Sequence, residues 1–458
     1  MRSLVFSTVS PYGMTALTVL AVAIAFGISV TQPGLALGMI IGIALLVTAF
    51  LSTRAAFYIL IISMLLSPEI MVGELGRRAT LERGVTLRLD DFLLIIVGFS
   101  WLARIAIYKE LGFSKRTPLN LPILYYMLTC IISTLMGILA GRVNPMTGFF
   151  FVLKYLEFFF VYFMVINTIT DRTQIKHLVL LSFITCFLVS LYAIIQIPGG
   201  GRATLPFEGK VGEPNTLGGY LVFMLSLVGG LFLHVPHRKG KIMLTSLAGV
   251  IVVALLATQS RSSYLAVLAT FGAFSILNLL RRQKLGLLAF LAALLLLSPF
   301  LVPSFVKERI AYTFIQPRES GQIKILRVQL DTSTSARILS WQEGFRDFKE
   351  HPLLGYGVTG YGFLDAQYPR VLLETGLLGL LAFLYLVYQL WQQVFLIHKT
   401  ASDPYEKGLA LGFWLGFIGL LVHAIGANTF IIVRIMEPFW LFAGMVMMIP
   451  KLGKGEEG

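Results

Sequence analysis

About fourteen apolar segments of roughly membrane-spanning length follow one another along this chain, and that succession limits its fold more than any other feature. Their approximate limits are 13–31, 34–52, 55–69, 91–108, 120–140, 148–168, 176–197, 215–233, 242–257, 263–280, 285–302, 371–396, 408–425 and 430–450. The third is short and the second follows directly on Thr31-Gln32-Pro33-Gly34, so the count lies between about twelve and fourteen. Lipid offers backbone N–H and C=O groups no partner, so such segments cross it as helices. The expected class is therefore an all-α polytopic membrane protein, a single membrane domain over 1–458. Composition agrees: 57% of the 458 residues are hydrophobic and 13% charged, which excludes an ordinary soluble domain. The first apolar run is followed at once by another and reads as a signal-anchor span, not a cleaved leader. Cys130 and Cys186 both lie in apolar runs and are expected as packed thiols.

Charge orients the spans. Alternate connections hold Arg54, then Lys109, Lys115 and Arg116, then Arg172, then Arg238, Lys239 and Lys241, then Arg281, Arg282 and Lys284, then Lys399 and Lys407, with Lys451 and Lys454 at the C-terminus. The excess of Lys and Arg on cytoplasmic loops puts these on the cytoplasmic side, with both termini. The remaining connections then face outward. Yet Arg77, Arg78, Arg83, Arg88, Arg202, Lys210, Arg261, Arg309, Arg318, Lys324, Arg327, Arg337 and Arg370 fall on the outward side, against that bias. A bound anion is the first explanation. Nucleic acid is a poor one for a net charge of +14, because the charges sit in short loops between apolar spans.

The largest outward segment runs over 303–370. From Asp331 within it to Gly379 in the following span, the chain reads DTSTSARILSWQEGFRDFKEHPLLGYGVTGYGFLDAQYPRVLLETGLLG. Ile338, Trp341, Phe345 and Phe348 recur at helical spacing, so Asp331–Lys349 is predicted as an amphipathic helix, with the Ser and Thr residues before Ala336 as N-cap candidates. Pro352, Gly355, Gly357, Gly360 and Gly362 then end regular structure and permit close backbone approach. A helix lying passively on the bilayer is the plain alternative.

The string SARILSWQEGFRDFKEHPLLGYGVTGYG, followed by DAQYPRVLLETGLLGLLAFL, resembles the signature of the O-antigen ligase and polymerase superfamily. GEPNTLGGYL at Gly212–Leu221, TQSRSSYLAVL at Thr258–Leu268, HAIGANTF and MEPFW fit the same order and spacing. The resemblance extends from about Gly148 to Met448. It implies a metal-independent membrane glycosyltransferase of the GT-C type, with no cofactor. Its donor would be a glycan on undecaprenyl pyrophosphate. Its acceptor would be a sugar hydroxyl, either of a second lipid-linked repeat (a polymerase) or of lipid A–core (a ligase). Ligases of the family usually carry a His-Asn pair where this chain has Asp365 and Ala366. Asp365 followed by Gln367, Tyr368 and Arg370 is similar to polymerase-like members, so polymerase is the first reading.

Glycosyl transfer from a pyrophosphate needs cations on the leaving group and a base on the acceptor hydroxyl. Arg suits the first task because its planar fork meets phosphate oxygens two at a time. Arg261, at an outward helix start where amides already favour phosphate, and Arg337 are the leading candidates. Arg202, Lys210 and Arg370 are candidate substrate contacts, each with a surface or interfacial charge as the plain alternative. Lys154 and Glu157 share a helix face inside a span, where ionisable groups serve a cavity or a partner; Lys154 is a candidate substrate contact within reach of a phosphate, with a structural ion pair as the plain alternative. Asp365 is the candidate base and Glu374 its alternate. Asn215 is either a ligand contact or a helix cap. Tyr356, Tyr361, Tyr368 and Gln367 offer stacking or hydrogen bonding to sugars. His423, within a span, reads as a packed polar contact. No metal-ligand cluster and no nucleotide-binding glycine motif is apparent, so ATP-driven transport lacks support. A lipid-linked oligosaccharide flippase remains the competing class, but it would favour paired repeats with broken helices, and none is visible.

Overall fold

The computed structural model describes residues 47–48, 52–72, 85–108, 116–208, 212–280, 303–317, 322–325, 328–362 and 364–452. The chain divides into two compact units, Met1–Phe57 with Ile95–Glu110, and Tyr58–Leu94 with Leu111–Gly458. In the first, the described parts are mainly helical. Everything that follows concerns the second. The expected spans 13–31 and 285–302, and most of 34–52, lie outside the described residues, as does Lys210.

The helices are α1 Thr53–Leu66, α2 Leu89–Tyr108, α3 Asn120–Leu139, α4 Pro145–Thr168, α5 Arg172–Ile195, α6 Pro214–His234, α7 Arg238–Ala257, α8 Arg261–Leu280, α9 Ser304–Ile315, α10 Thr332–Asp347, α11 Gln367–Thr400, α12 Pro404–His423 and α13 Val433–Leu452. Two short antiparallel pairs, Glu69–Val72 with Val85–Arg88 and Lys324–Ile325 with Val328–Gln329, are the strands among the described residues. Eight of the described helices, α3 to α7 and α11 to α13, are long and apolar enough to cross a membrane. The protein is an all-α multi-pass membrane protein.

Small residues and aromatics hold the bundle. A Cβ on Gly230 of α6 would come within 2.3 Å of the Gly412 nitrogen, and one on Gly412 within 2.6 Å of Leu227 Cα. These two helices therefore approach backbone to backbone, as small residues at four-residue spacing allow in lipid. Phe223, Phe413, Phe417, Phe439 and Phe442 fill the centre beside them, all fully buried.

The segments expected on the outward side do meet at one end of the bundle. Ala203 N donates to Ala257 O (2.9 Å), Gln367 N to Ala424 O (3.1 Å), and Ser260 Oγ to Asn215 Oδ1 (2.8 Å). Arg434 bonds four carbonyls there, those of Leu65, Ser67, Pro206 and Phe207. Arg88, expected as an exposed outward cation, is instead buried against Asp90 (2.9 Å), Asp91 and Glu437.

The span expected at 371–396 is broken. Helix α11 contains a non-helical residue, Gly376, at φ 68° and ψ −168°. A Cβ there would lie 2.2 Å from Leu353 O, so glycine is required by conformation and by space. The loop before the helix closes the break: Leu377 N donates to Pro352 O (2.8 Å), Tyr356 N to Leu373 O (2.9 Å) and Gly357 N to Glu374 O (2.8 Å). Residues 367–375 thus form a short segment of their own, pinned to the glycine-rich loop, and the span proper begins after Gly376.

Candidate functional site

Three arginines gather where α6 and α8 begin. Arg202 sits in the loop after the 3-10 turn Ile197–Gly199 and donates from Nε to Thr258 O (3.2 Å). Arg261 is the first residue of α8; it meets Asp331 at 2.8 Å and donates to Thr313 Oγ1 at 2.6 Å. Arg309 lies on α9 with its ring neighbour Tyr312 at 6.0 Å. Burial, then repulsion from Arg309 and Arg261, pushes Arg202 down to about 10. Burial and Arg261 push Arg309 in the same direction. Guanidinium keeps its proton in proteins, so these shifts register cations crowded together rather than a group ready to lose charge. Burial would raise Asp331, but hydrogen bonds and charge from Arg261, together with Thr334, outweigh it and hold its carboxyl below the usual range.

Three positive charges are thus opposed by Asp331 directly and by Glu213, the more distant acid acting on Arg202. The excess is positive before the helix termini are considered. Helices α6 and α8 start side by side here, joined by Ser260 and Asn215, and the positive ends of their dipoles add to it. The arrangement concentrates positive charge around the doubly donating fork of Arg261 and has the chemistry to hold an anion.

Helix α10 leads away from that site. Its cap is Asp331 itself, which accepts from Thr334 N (3.3 Å), rather than one of the Ser or Thr residues anticipated. Two turns on, Arg337 donates to Asp365 Oδ2 from Nη2 (2.7 Å) and Nε (3.2 Å). Both bonds use one carboxylate oxygen, and each side chain remains about a fifth exposed (23% and 22%). Asp365 Oδ1 accepts no hydrogen bond among the described residues. The proposed base is therefore oriented by an arginine and keeps one oxygen open.

Glu374 is differently placed. It is 4% exposed. Its Oε1 accepts from Arg370 Nε (3.0 Å) and Thr359 N (3.1 Å), while Arg370 also covers the Phe151 ring. That pair ties the short segment of α11 to the glycine-rich loop. Gln367 is fully buried and accepts from Phe430 N (2.9 Å), and Tyr368 donates to Leu421 O (2.6 Å). His423 bonds Thr429 Oγ1 (2.8 Å). Each of these side chains has at least one partner inside the protein. Asn215 does not cap α6, since Glu213 precedes the helix; its side chain joins α6 to Ser260 instead. Lys154 lies apart from the arginine cluster, held by Asp91 (2.5 Å) and Glu157 (3.3 Å) in the buried network of Arg88.

The structure brings Arg202 and Arg261 together, and Arg337 with Asp365. Sequence reasoning counted Arg309 only among the outward cations and did not single out Asp331. The position of Asp331 at the head of an amphipathic helix was the available signal.

Residues 246–384 match the family model described as O-antigen ligase. The matched stretch carries Arg261, Arg309, Asp331, Arg337, Asp365, Arg370 and Glu374, whereas Arg202 precedes it. No curated protein matches the chain.

Proposed function

We propose that this chain, whose residues 246–384 match the O-antigen ligase family model, joins lipid-linked polysaccharide repeat units at the outer face of the inner membrane. The donor is a glycan on a polyprenyl diphosphate such as undecaprenyl pyrophosphate, and the acceptor is a sugar hydroxyl of a second lipid-linked glycan. The observation that carries this reading is the convergence of Arg202, Arg261 and Arg309 at two helix starts. A departing diphosphate gains negative charge as the bond from its oxygen to the sugar C1 breaks, and fixed guanidinium groups stabilise that charge without reorganising. The acceptor hydroxyl forms the new bond to C1 and gives its proton to Asp365, whose partner Arg337 fixes its orientation.

One difference favours polymerase over ligase: Asp365 stands where the ligases that this chain resembles usually carry histidine. The test uses purified protein in detergent or nanodiscs with lipid-linked repeat units alone. A ladder of products supports a polymerase; transfer only after lipid A–core is added makes it a ligase. Movement of intact donor across a vesicle membrane without a new glycosidic bond would make it a flippase.

A further inference from the structure

The far end of α10 carries a cluster that neither the diphosphate site nor the base uses. Tyr356 and Tyr361 lie with ring centroids 5.2 Å apart, and His351 stands edge-on to Tyr356 at 4.7 Å. All three are partly exposed. Each tyrosine is fixed by its hydroxyl: the single proton of Tyr356 is shared between Glu350 Oε2 (2.8 Å) and Asp347 O (3.0 Å), and Tyr361 donates to Asp347 Oδ2 (2.7 Å). Arg142, from the turn after α3, covers the Tyr356 ring at 5.8 Å. Burial and Glu350 push the Tyr356 hydroxyl up to about 12, so it stays a donor at any physiological pH.

Rings held in this way lose little freedom when something stacks on them, and carboxylates at their edges accept hydroxyl hydrogen bonds. Faces of aromatic rings beside acceptors suit sugars, which are apolar on one face and ringed by hydroxyls. Position narrows the ligand further. Helix α10 measures the spacing at 1.5 Å per residue, so Asp347 lies roughly 24 Å along the axis from Asp331 and about 15 Å beyond Arg337. The order along the helix is anion site, base, rings. An acceptor whose hydroxyl meets Asp365 would extend its remaining sugars toward the rings.

We propose that His351, Tyr356 and Tyr361 form an acceptor-glycan subsite that grips sugars several units away from the reacting hydroxyl. This rests on the transferase reading, and it makes the acceptor an oligosaccharide rather than a single sugar. The subsite favours long acceptors without touching the reacting atoms.

The test compares acceptors of one repeat and of several repeats, with wild type, Tyr361→Ala and His351→Ala. Loss of one stacked ring raises KM for the long acceptor about tenfold, with kcat unchanged and the short acceptor unaffected. Equal effects on both acceptors, or none on either, overturn the proposal. The His351→Ala variant guards against misfolding, since among the described residues no hydrogen bond of that side chain holds the loop. Binding of malto-, chito- and hyaluronan oligosaccharides is followed by saturation-transfer NMR on the full-length protein. Contact at the tyrosine rings without any glycosyl transfer would leave the subsite standing and defeat the transferase reading. Transfer by wild type with no ring contact and no change of KM in the variants would do the reverse.

Discussion

Arg261 and Asp331 meet at 2.8 Å, one opening helix α8 and the other capping α10. The pair fixes the start of α10 against the arginine cluster and removes one unit of its positive charge. An anion arriving at the site competes with Asp331 for Arg261. For a diphosphate bound as proposed, the carboxylate would limit how tightly it is held and so help product leave.

Asp331→Asn isolates that effect. Asparagine caps a helix about as well as aspartate, so α10 should keep its start while the cluster gains a charge. A charge at several ångströms, largely screened because Arg261 is partly solvated, is worth about 1 kcal/mol, or roughly five- to tenfold in affinity. Calorimetry with inorganic pyrophosphate should show that tightening, and turnover should slow if product release limits it. Weaker binding would mean that Asp331 matters by positioning Arg261, not by opposing the ligand.

The arginines should not be interchangeable with lysine. Arg261 serves an oxygen of Asp331 and Thr313 at once through its fork, a geometry that an ammonium cannot copy. Arg261→Lys should retain membrane insertion yet lose about tenfold or more in transfer, on the order of one charge-assisted hydrogen bond. Arg261→Ala and Arg309→Ala should each abolish measurable transfer. Product formed at the normal rate by the double alanine variant would dismiss the diphosphate clamp.

What the sequence disclosed follows from what is local. The spacing of Ile338, Trp341, Phe345 and Phe348 signalled a helix, and one runs over Thr332–Asp347. The same pattern misnamed its buried side: Ser335 and Gly344 are buried, Phe345 is 55% exposed, and a Cβ on Gly344 would lie 2.5 Å from Leu373 Cδ1. Periodicity reports a helix, but the partner decides which face it hides. Arg202 and Arg261 stood out because they break the charge bias of loops. Their meeting with Arg309 and Asp331 is tertiary and leaves no mark in any short window. The break at Gly376 escaped notice because an apolar run with one glycine looks like an ordinary span.

Asp365→Asn tests the base. The amide oxygen can still accept from Arg337, so the local structure should survive, while the capacity to take a proton is lost. Transfer should fall by roughly a hundredfold or more, with little change in KM for the lipid-linked donor. A rate near wild type would pass the role to another acceptor of the proton. Glu374 is a poor substitute, since it is 4% exposed and already accepts from Arg370 and Thr359.

Gly376 offers a test of the broken helix itself. Alanine there must hold φ near 68° and place its Cβ 2.2 Å from Leu353 O. A left-handed conformation costs a non-glycine residue about 1 kcal/mol or more, and the clash with a carbonyl adds to it. The backbone bonds from Leu377 to Pro352 and from Gly357 to Glu374 hold the glycine-rich loop to this point, so the loop should loosen with it. Gly376→Ala should lower the apparent melting temperature in detergent by several degrees and raise amide exchange at Tyr356 and Gly357. It should also reduce transfer, because the loop begins at the residues that lead to Tyr361 and Asp365. Unchanged exchange with lost activity would mean that Gly376 serves the substrate rather than the fold.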